Sequence, residues 1–121
     1  MNKYHNRKVK TKDGIVHDSK KEAIRWNELK LFEEAGRITE LKRQEEFLLI
    51  PPQYEEIPKG KRSKKPKKKL VERAVVYRAD FVYQNERGEI VVEDTKGFKT
   101  RDYIIKRKLM LYVYGIKIQE V

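Results

Sequence analysis

The sequence predicts an α/β fold in which two helices flank a central mixed β-sheet, with the main elements in the order αβββαβ. Three observations predict it. Two segments, one beginning near Ser19 and one near Thr100, carry helix-capping residues and end at a glycine. Between them lie runs of β-branched and aromatic residues separated by turn signals. The length of 121 residues suits one hydrophobic core, so 1–121 is expected to form a single domain.

The first helix is predicted over 20–35. Ser19 and Glu22 have the spacing of a capping box, and Gly36 suits the position after the last turn. Apolar residues at three-residue steps predict its buried face: Ala23, Trp26, Leu29 and Phe32. Before this helix, Asp13-Gly14 indicates a small hairpin in which His17 is expected to be a surface residue.

Strands are predicted on both sides of the proline pair that follows Ile50. Short strands are expected at 38–41 and 46–50, with Gln44 either a plain turn residue or a contact to a phosphate or a metal-bound water. A longer run is expected at 70–83, with Asp80 the single acid of its segment 77–83, and the turn signal at 85–88 joins it to a strand that begins at Ile90. A second helix to about Tyr114 and a strand over 116–121 complete the chain.

The composition excludes several classes of protein. The chain contains no cysteine, so disulfides and thiolate metal sites are excluded. It has no apolar run long enough for a membrane span, and we expect a soluble protein without a membrane partner. Charged residues make up 40% and the formal net charge is +11, which favours a polyanionic partner.

The positive charge is concentrated in a predicted mobile loop at 59–69. This segment has seven lysines, one arginine and no acid, giving +8 and leaving +3 for the rest of the chain. A solvated loop or a nuclear-localisation-like tract is the alternative, but phosphate contact is favoured because each pairing releases counterions. Nucleic acid is preferred to an anionic membrane because no amphipathic helix accompanies the run. The candidate nucleic-acid-binding residues are Lys59, Lys61, Arg62, Lys64, Lys65, Lys67, Lys68 and Lys69, with Lys106 of the second helix added.

The candidate chemistry lies at the end of the strand that begins at Ile90. Strand alternation puts Asp94 and Lys96 on one face, and the neighbouring strand brings Asp80 close to both. Adjacent carboxylates repel, so they hold a hard divalent cation or accept a raised pKa, and Mg²⁺ needs only one or two of them. A lysine beside them can orient a water or stabilise charge on a phosphorane-like transition state. The alternative is a surface Asp–Lys pair that closes a hairpin.

Two further acids leave choices open. Glu22 either completes the capping box or faces Asp80 and Asp94 from the rim of the core, and one residue can serve both purposes. Glu93 stands next to Asp94, and the shared face with Lys96 selects Asp94, whereas a bulge would select Glu93.

The combination of motifs resembles the PD-(D/E)XK nuclease superfamily. The resemblance is carried by Ser19-x-x-Glu22, Ala79-Asp80-Phe81 and Glu93-Asp94-Thr95-Lys96-Gly97, with Ala79 where the superfamily motif is named for proline. In detail the chain is similar to a family of small phage and prophage proteins of unknown function, and two of its motifs are similar to those of Holliday-junction resolvases.

The resemblance implies a restriction-endonuclease-like core that binds Mg²⁺ or Mn²⁺. By that likeness Asp80 and Asp94 would be direct metal ligands, completed by the backbone carbonyl of Thr95. Lys96 would position the attacking water, and Glu22 would bind a second metal or a metal-bound water. A phage protein of this kind would act in the cytoplasm of the bacterial host cell.

The sequence therefore predicts a Mg²⁺-dependent DNA endonuclease. The resolvase likeness favours branched or structure-specific duplex DNA, with a homodimer to cut two strands. The alternatives are a catalytically inactive, basic nucleic-acid-binding protein, in which Asp80, Asp94 and Lys96 form a structural ion network, and an RNA-binding accessory protein.

Overall fold

A computed structural model describes residues 7–58, 66–96 and 98–121 of the chain. A small hairpin of β1 (Val9–Lys10) and β2 (Val16–His17) precedes α1 (Lys20–Glu34). The strands β3 (Thr39–Ile50), β4 (Gln53–Ile57), β5 (Lys67–Glu72), β6 (Val75–Gln84) and β7 (Ile90–Asp94) follow. The chain then continues through α2 (Arg101–Tyr114) to β8 (Gln119–Glu120). Neither helix within this described part is long and apolar enough to cross a membrane.

The central sheet has the strand order β3-β6-β7-β8. The pairs β3–β6 and β6–β7 are antiparallel, whereas β7 and β8 are parallel because α2 connects them. The predicted α/β class, with two helices and a mixed sheet, is confirmed. The final strand is shorter than the predicted 116–121, since only Gln119 and Glu120 pair with β7.

Both helices begin and end where their capping residues predict. The Ser19 hydroxyl accepts a hydrogen bond from the Glu22 amide at 3.1 Å, and the Thr100 hydroxyl accepts one from Tyr103 at 3.1 Å. Gly115 ends α2 with φ +68°, a left-handed conformation that glycine adopts without a steric penalty. The predicted stripe of α1 is buried at Ala23, Trp26 and Leu29, but Phe32 is 38% exposed, so the predicted buried face is wrong at that position.

Two sequence-based strand predictions are wrong in opposite ways. The strands expected at 38–41 and 46–50 are one strand, β3, in which Glu40 and Gln44 have φ of +55° and +54°. Gln44 is therefore not in a connecting turn; left-handed residues bend the strand while its ladder to β6 continues on either side. Conversely, the run expected at 70–83 divides into β5 and β6, and β5 pairs with β4 rather than with the central sheet.

The basic segment is only partly a loop. Lys67, Lys68 and Lys69 belong to β5, where they stand opposite Ile57, Glu56 and Glu55. The loop predicted through residue 69 is wrong for these three lysines, because backbone pairing with β4 fixes them in extended conformation. The predicted contacts of Lys59, Lys61, Arg62, Lys64 and Lys65 lie outside the described residues, as does Gly97 of the sequence motif.

The core consists of two clusters, one on each face of the sheet. The α1 cluster contains Trp26, Leu29, Ile38, Phe81 and Tyr83. The α2 cluster contains Leu49, Tyr77, Ala79, Val92, Tyr103, Met110 and Ile118. Val92 belongs to the α2 cluster, whereas Phe81 stands directly opposite its neighbour Glu93 on the α1 face. The sheet is thus covered on both faces near the ends of β6 and β7.

Candidate active site

Strand β6 changes its side-chain phase at Asp80. Ala79 packs in the α2 cluster and Phe81 in the α1 cluster, although residues two apart in a regular strand share a face. The facing residue of β3 is Gln44, whose φ of +54° departs from the extended conformation of a strand at the same level. The two irregularities turn Asp80 toward the end of β7, where its Oδ2 accepts hydrogen bonds from the Thr95 amide and hydroxyl, both at 2.8 Å.

Asp94, the last residue of β7, is fully buried on the α2 face. Its Oδ2 accepts a hydrogen bond from the Tyr77 hydroxyl at 2.6 Å. Its Oδ1 is buried and accepts no hydrogen bond from any residue in the described ranges. Burial, followed by the charge of Asp80, raises the pKa of Asp94 to about 6, while Tyr77 and Lys96 oppose that rise. One carboxylate oxygen is therefore held by a hydrogen bond, whereas the other accepts none from a described residue.

Lys96 brings a positive charge to the same position. Its Nζ lies 4.0 Å from Asp94 Oδ1 and 5.4 Å from the centre of the Tyr103 ring. Its side chain is 41% exposed, in contrast to the buried carboxylate it faces. The amine is thus placed between solvent and the free oxygen of Asp94, where a bound anion or water could reach it. The Tyr103 ring packs against the amine, while the Tyr77 hydroxyl is bound to the other oxygen of Asp94.

Glu22 projects from the first turn of α1 into a buried polar pocket. Gln44 Nε2 donates to Glu22 Oε1 at 3.2 Å, and an Arg43 guanidinium nitrogen lies 3.9 Å from the same oxygen. Its carboxylate is occupied by these residues and by His17 rather than by the cap, so only the Ser19 half of the capping box forms. Burial, then the charges of Asp80 and Asp18, raises the pKa of Glu22 to about 7.

His17 is a residue whose predicted position is wrong. It was expected on the surface of the small hairpin, but it is fully buried, with Nδ1 3.6 Å from Glu22 Oε1. Its Nε2 lies 3.3 Å from the Thr11 hydroxyl, and its ring lies 5.9 Å from that of Trp26. Burial and then the charge of Arg43 lower the pKa of His17. The hairpin packs on α1, and a two-residue strand gives no alternation from which that contact could be predicted.

The structure separates the roles of Glu93 and Asp94. Both oxygens of Glu93 are bound on the α1 face, where Arg25 Nε and a terminal guanidinium nitrogen each donate at 2.7 Å. The Tyr83 hydroxyl donates to Glu93 as well. Asp94 lies on the opposite face of the same strand and keeps one oxygen free. The face argument from the sequence therefore selected the acid with an available oxygen.

The four predicted catalytic residues divide into two groups linked by Asp80. Asp94 and Lys96 are in contact, and Thr95 joins their strand end to Asp80. Glu22 interacts with Asp80 electrostatically: after burial, the charge of Asp80 is the next cause of the raised pKa of Glu22. Lys106 lies on α2 and is partly buried; no contact between described residues joins it to these acids. The aromatic support of Tyr77, and the neighbours Arg43 and His17, were not predicted from the sequence.

The donor set fits a hard cation only in part. No group of three or more Asp, Glu, His or Cys residues in the described ranges is arranged to hold a metal ion. The orphaned, buried Oδ1 of Asp94 and the Asp80 charge beside it are nevertheless the chemistry that a divalent cation would satisfy. Thr95 contacts Asp80 through its amide and hydroxyl, so the predicted use of its carbonyl as a ligand stays a prediction.

Comparison with known proteins gives one match. No curated protein and no solved structure matches the chain. A family model described as a protein of unknown function (DUF1064) matches residues 1–119, which is almost the whole length. The chain therefore belongs to the DUF1064 family.

Proposed function

We propose that this protein is a metal-dependent endonuclease that hydrolyses phosphodiester bonds in DNA. The observation that carries the proposal is the end of β7, where the buried Oδ1 of Asp94 accepts no hydrogen bond from a described residue and lies 4.0 Å from Lys96 Nζ. Burial and then the charge of Asp80 raise the pKa of both Asp94 and Glu22, which come from β7 and from α1. A fold that retains three coupled acids beside a lysine sustains a repulsion that a cation would relieve. The PD-(D/E)XK resemblance is in accord with that arrangement.

Asp80 and Asp94 are the residues that would hold Mg²⁺ or Mn²⁺, with the Thr95 carbonyl and Glu22 as further ligands. Bound there, the cation would polarise the phosphate and stabilise the leaving oxygen. The chain supplies the remaining functions. Tyr77 fixes Asp94 by donating to one of its oxygens, and Thr95 fixes Asp80 in the same way. Lys96, whose Nζ lies 4.0 Å from Asp94 Oδ1, would orient a water and balance negative charge on the phosphate.

The proposed substrate is duplex or branched DNA. The lysine-rich segment supplies positive charge with no acid of its own, so it would contact the phosphate backbone. Branched DNA and a homodimer follow from the resolvase resemblance, since cutting two strands calls for two active sites.

A catalytically inactive nucleic-acid-binding protein is the second candidate. It is favoured by the absence of a three-residue metal-binding group within the described residues and by the hydrogen bonds that Thr95 already makes to Asp80. In that case Asp80, Asp94 and Lys96 would form an ion network that closes the end of the sheet.

A cleavage assay separates the two candidates. Supercoiled plasmid and a four-way junction are incubated with Mg²⁺, Mn²⁺ or EDTA. We expect Asp80→Asn, Asp94→Asn and Lys96→Ala to reduce nicking by at least about 100-fold, because each removes a group that acts on the reacting phosphate or water. Asp102→Asn, an exposed acid in the first turn of α2, is the matched control and should cleave like the wild type.

A binding measurement without turnover accompanies the assay. Mg²⁺ or Ca²⁺ should raise the melting temperature of the wild type and of Asp102→Asn but not that of Asp94→Asn, because a ligand that binds only the folded state stabilises it. Trace cleavage that is equal in all variants, together with no thermal response to either cation, would reject the endonuclease and support the inactive binder.

A further inference from the structure

The outer face of α1 carries an exposed apolar stripe. Ala23, Trp26 and Leu29 are buried, whereas Ile24 and Leu31 are 49% and 65% exposed. These two residues are separated by nearly two helical turns, so they share a face and lie about 10.5 Å apart along the axis. A helix that covers only its own sheet needs apolar residues on one face, so this second pair points to contact with another surface.

A cavity lies beside Ile24 at one end of this stripe. Its volume is about 460 Å³, and its walls come from the first half of α1, from Thr95 after β7 and from Val121 after β8. The walls are mostly apolar and the cavity is open to the outside. Leu31, the most exposed apolar side chain of α1, lies at the other end of the stripe. The same face thus presents both a projecting leucine and a hollow that could receive one.

The exposed charges of α1 oppose the dipole of the helix. Lys20 and Lys21 lie in the first turn, Glu34 is the last residue, and the last turn has no basic residue. The first turn of a helix carries partial positive charge and the last turn partial negative charge, so both ends have the less favourable sign. None of the ion pairs between described residues involves these three side chains. Their order therefore gains nothing from contacts within the described chain.

We propose that the outer face of α1 packs against the same face of a second copy of this chain, with the two helices antiparallel. The twofold axis passes between Asn27 and Glu28, which are both exposed. Each Leu31 then meets Ile24 of the second copy and enters the cavity beside it. A twofold axis makes every such contact occur twice, so one helix face is sufficient for a closed dimer.

The charges favour this partner and this orientation. The same axis places Lys21 opposite Glu34 of the second copy and lets the Asn27 amide donate to the Glu28 carboxylate. The positive turn of each helix meets the negative turn of the other, so side-chain charges and dipoles are both complementary. A parallel pair would bring Lys21 against Lys21. A nucleic acid would attract the lysines but would leave Glu34 and Leu31 without a contact.

The expected dimer is weak. The helix of 15 residues is about 22 Å long, which is too short to bury the roughly 800 Å² per partner of a standard stable interface. The dimer should therefore form on concentration and dissociate on dilution. The contact stands apart from the proposed nuclease function, because none of the residues exchanged in its test is a candidate catalytic residue.

The test exchanges the charges at the two ends of the helix. Lys21→Glu alone, or Glu34→Lys alone, places like charges together at both contacts of a dimer. A mixture of the two variants restores opposite charges at both contacts of the heterodimer. Sedimentation velocity is measured without DNA or divalent cations over about a hundredfold range of protein concentration, at low salt because salt screens exposed ion pairs.

We expect each single variant to raise the dimer dissociation constant at least about tenfold, and the mixture to dimerise within about threefold of the wild type. Lys108→Glu, at an exposed position of α2, changes the net charge as much as Lys21→Glu and should dimerise like the wild type. Leu31→Ala should weaken the dimer at least about tenfold, whereas the exposed Leu111→Ala should not. The melting temperatures of both charge variants should not fall, because each new charge suits the dipole of its helix end.

Three results would overturn the proposal. A wild type that sediments as a monomer at every concentration would leave the exposed lysines of α1 to another partner, such as a nucleic acid. A dimer that both charge variants retain, or that Leu111→Ala loses instead of Leu31→Ala, would place the interface elsewhere. Single variants that dissociate but do not associate when mixed would show that Lys21 and Glu34 do not face each other.

Discussion

At the scale of single residues, neighbouring acids on one strand have opposite roles. Glu93 and Asp94 differ by one position, so the pleat sends one to α1 and the other to α2. Arg25 neutralises Glu93 through two hydrogen bonds, whereas Asp94 meets a tyrosine hydroxyl and a distant amine. Alternation was sufficient to select Asp94, but the partners that make the difference come from remote parts of the chain.

Glu22 gives a prediction at the same scale. The carboxyl pKa of about 7, against 4.5 for the unfolded chain, means that the folded state holds its proton more tightly. Stability is therefore lost as pH rises from about 4.5 to about 7, and the loss amounts to about 3 kcal/mol above that window. Glu22→Gln lacks this loss. In urea denaturation without divalent cations, the stability advantage of Glu22→Gln should grow over the same window.

Glu34→Gln is the control, since it removes one exposed charge from the end of the same helix. It should stay within about 0.5 kcal/mol of the wild type at each pH. If the free energies of unfolding of Glu22→Gln and the wild type differ by the same amount from pH 4 to pH 8, then burial and the charges of Asp80 and Asp18 do not raise the pKa of Glu22.

At the scale of elements, irregular positions in two facing strands accompany the site residues. The positive φ of Gln44 and the phase change at Asp80 occur at facing positions of β3 and β6. The bend brings Gln44 to Glu22 while Asp80 is turned toward Thr95. The sequence predicts two short strands where the structure has β3 alone. Nothing in the local pattern shows that Gln44, a residue other than glycine, adopts a left-handed conformation inside a continuous strand.

The two-stranded β4–β5 ribbon, which forms a sheet of its own, gives a prediction about the stability of the central sheet. Since Ile50 pairs directly with Val75, replacement of residues 51–74 by Asn-Gly should turn β3 and β6 into a continuous hairpin. We expect the far-ultraviolet circular dichroism of the remaining chain to persist and the free energy of unfolding to change by less than about 1 kcal/mol. Deletion of only 53–57, which leaves β5 without its partner, is the contrasting variant. Loss of cooperative unfolding in the Asn-Gly variant would show that the ribbon supports the core.

At the scale of the whole molecule, one sheet joins two apolar clusters. The single tryptophan, Trp26, lies in the α1 cluster, and the fully buried Met110 lies in the α2 cluster. Strands β6 and β7 contribute side chains to both faces, so the two clusters should unfold together.

Met110→Ala tests this coupling. Removal of the buried side chain should cost about 2 to 5 kcal/mol. Because the clusters share a sheet, the loss should shift the urea transition of Trp26 fluorescence as far as that of circular dichroism. Leu111 is the next residue on the same helix and is exposed. Leu111→Ala should change the free energy of unfolding, by fluorescence or by circular dichroism, by no more than about 0.5 kcal/mol. A fluorescence transition that stays at the wild-type midpoint would mean that the two faces unfold separately.

The sequence by itself determined the features that depend on neighbours along the chain. Ser19, Thr100 and Gly115 define helix ends because caps bond within one turn, and strand alternation separates Asp94 from Glu93. Only the tertiary structure decided the burial of His17, the left-handed conformation of Gln44 within one strand, the separate β4–β5 sheet and the contacts of Glu93 with Arg25 and Tyr83. Those properties arise from packing and electrostatics between segments tens of residues apart, which no local pattern encodes.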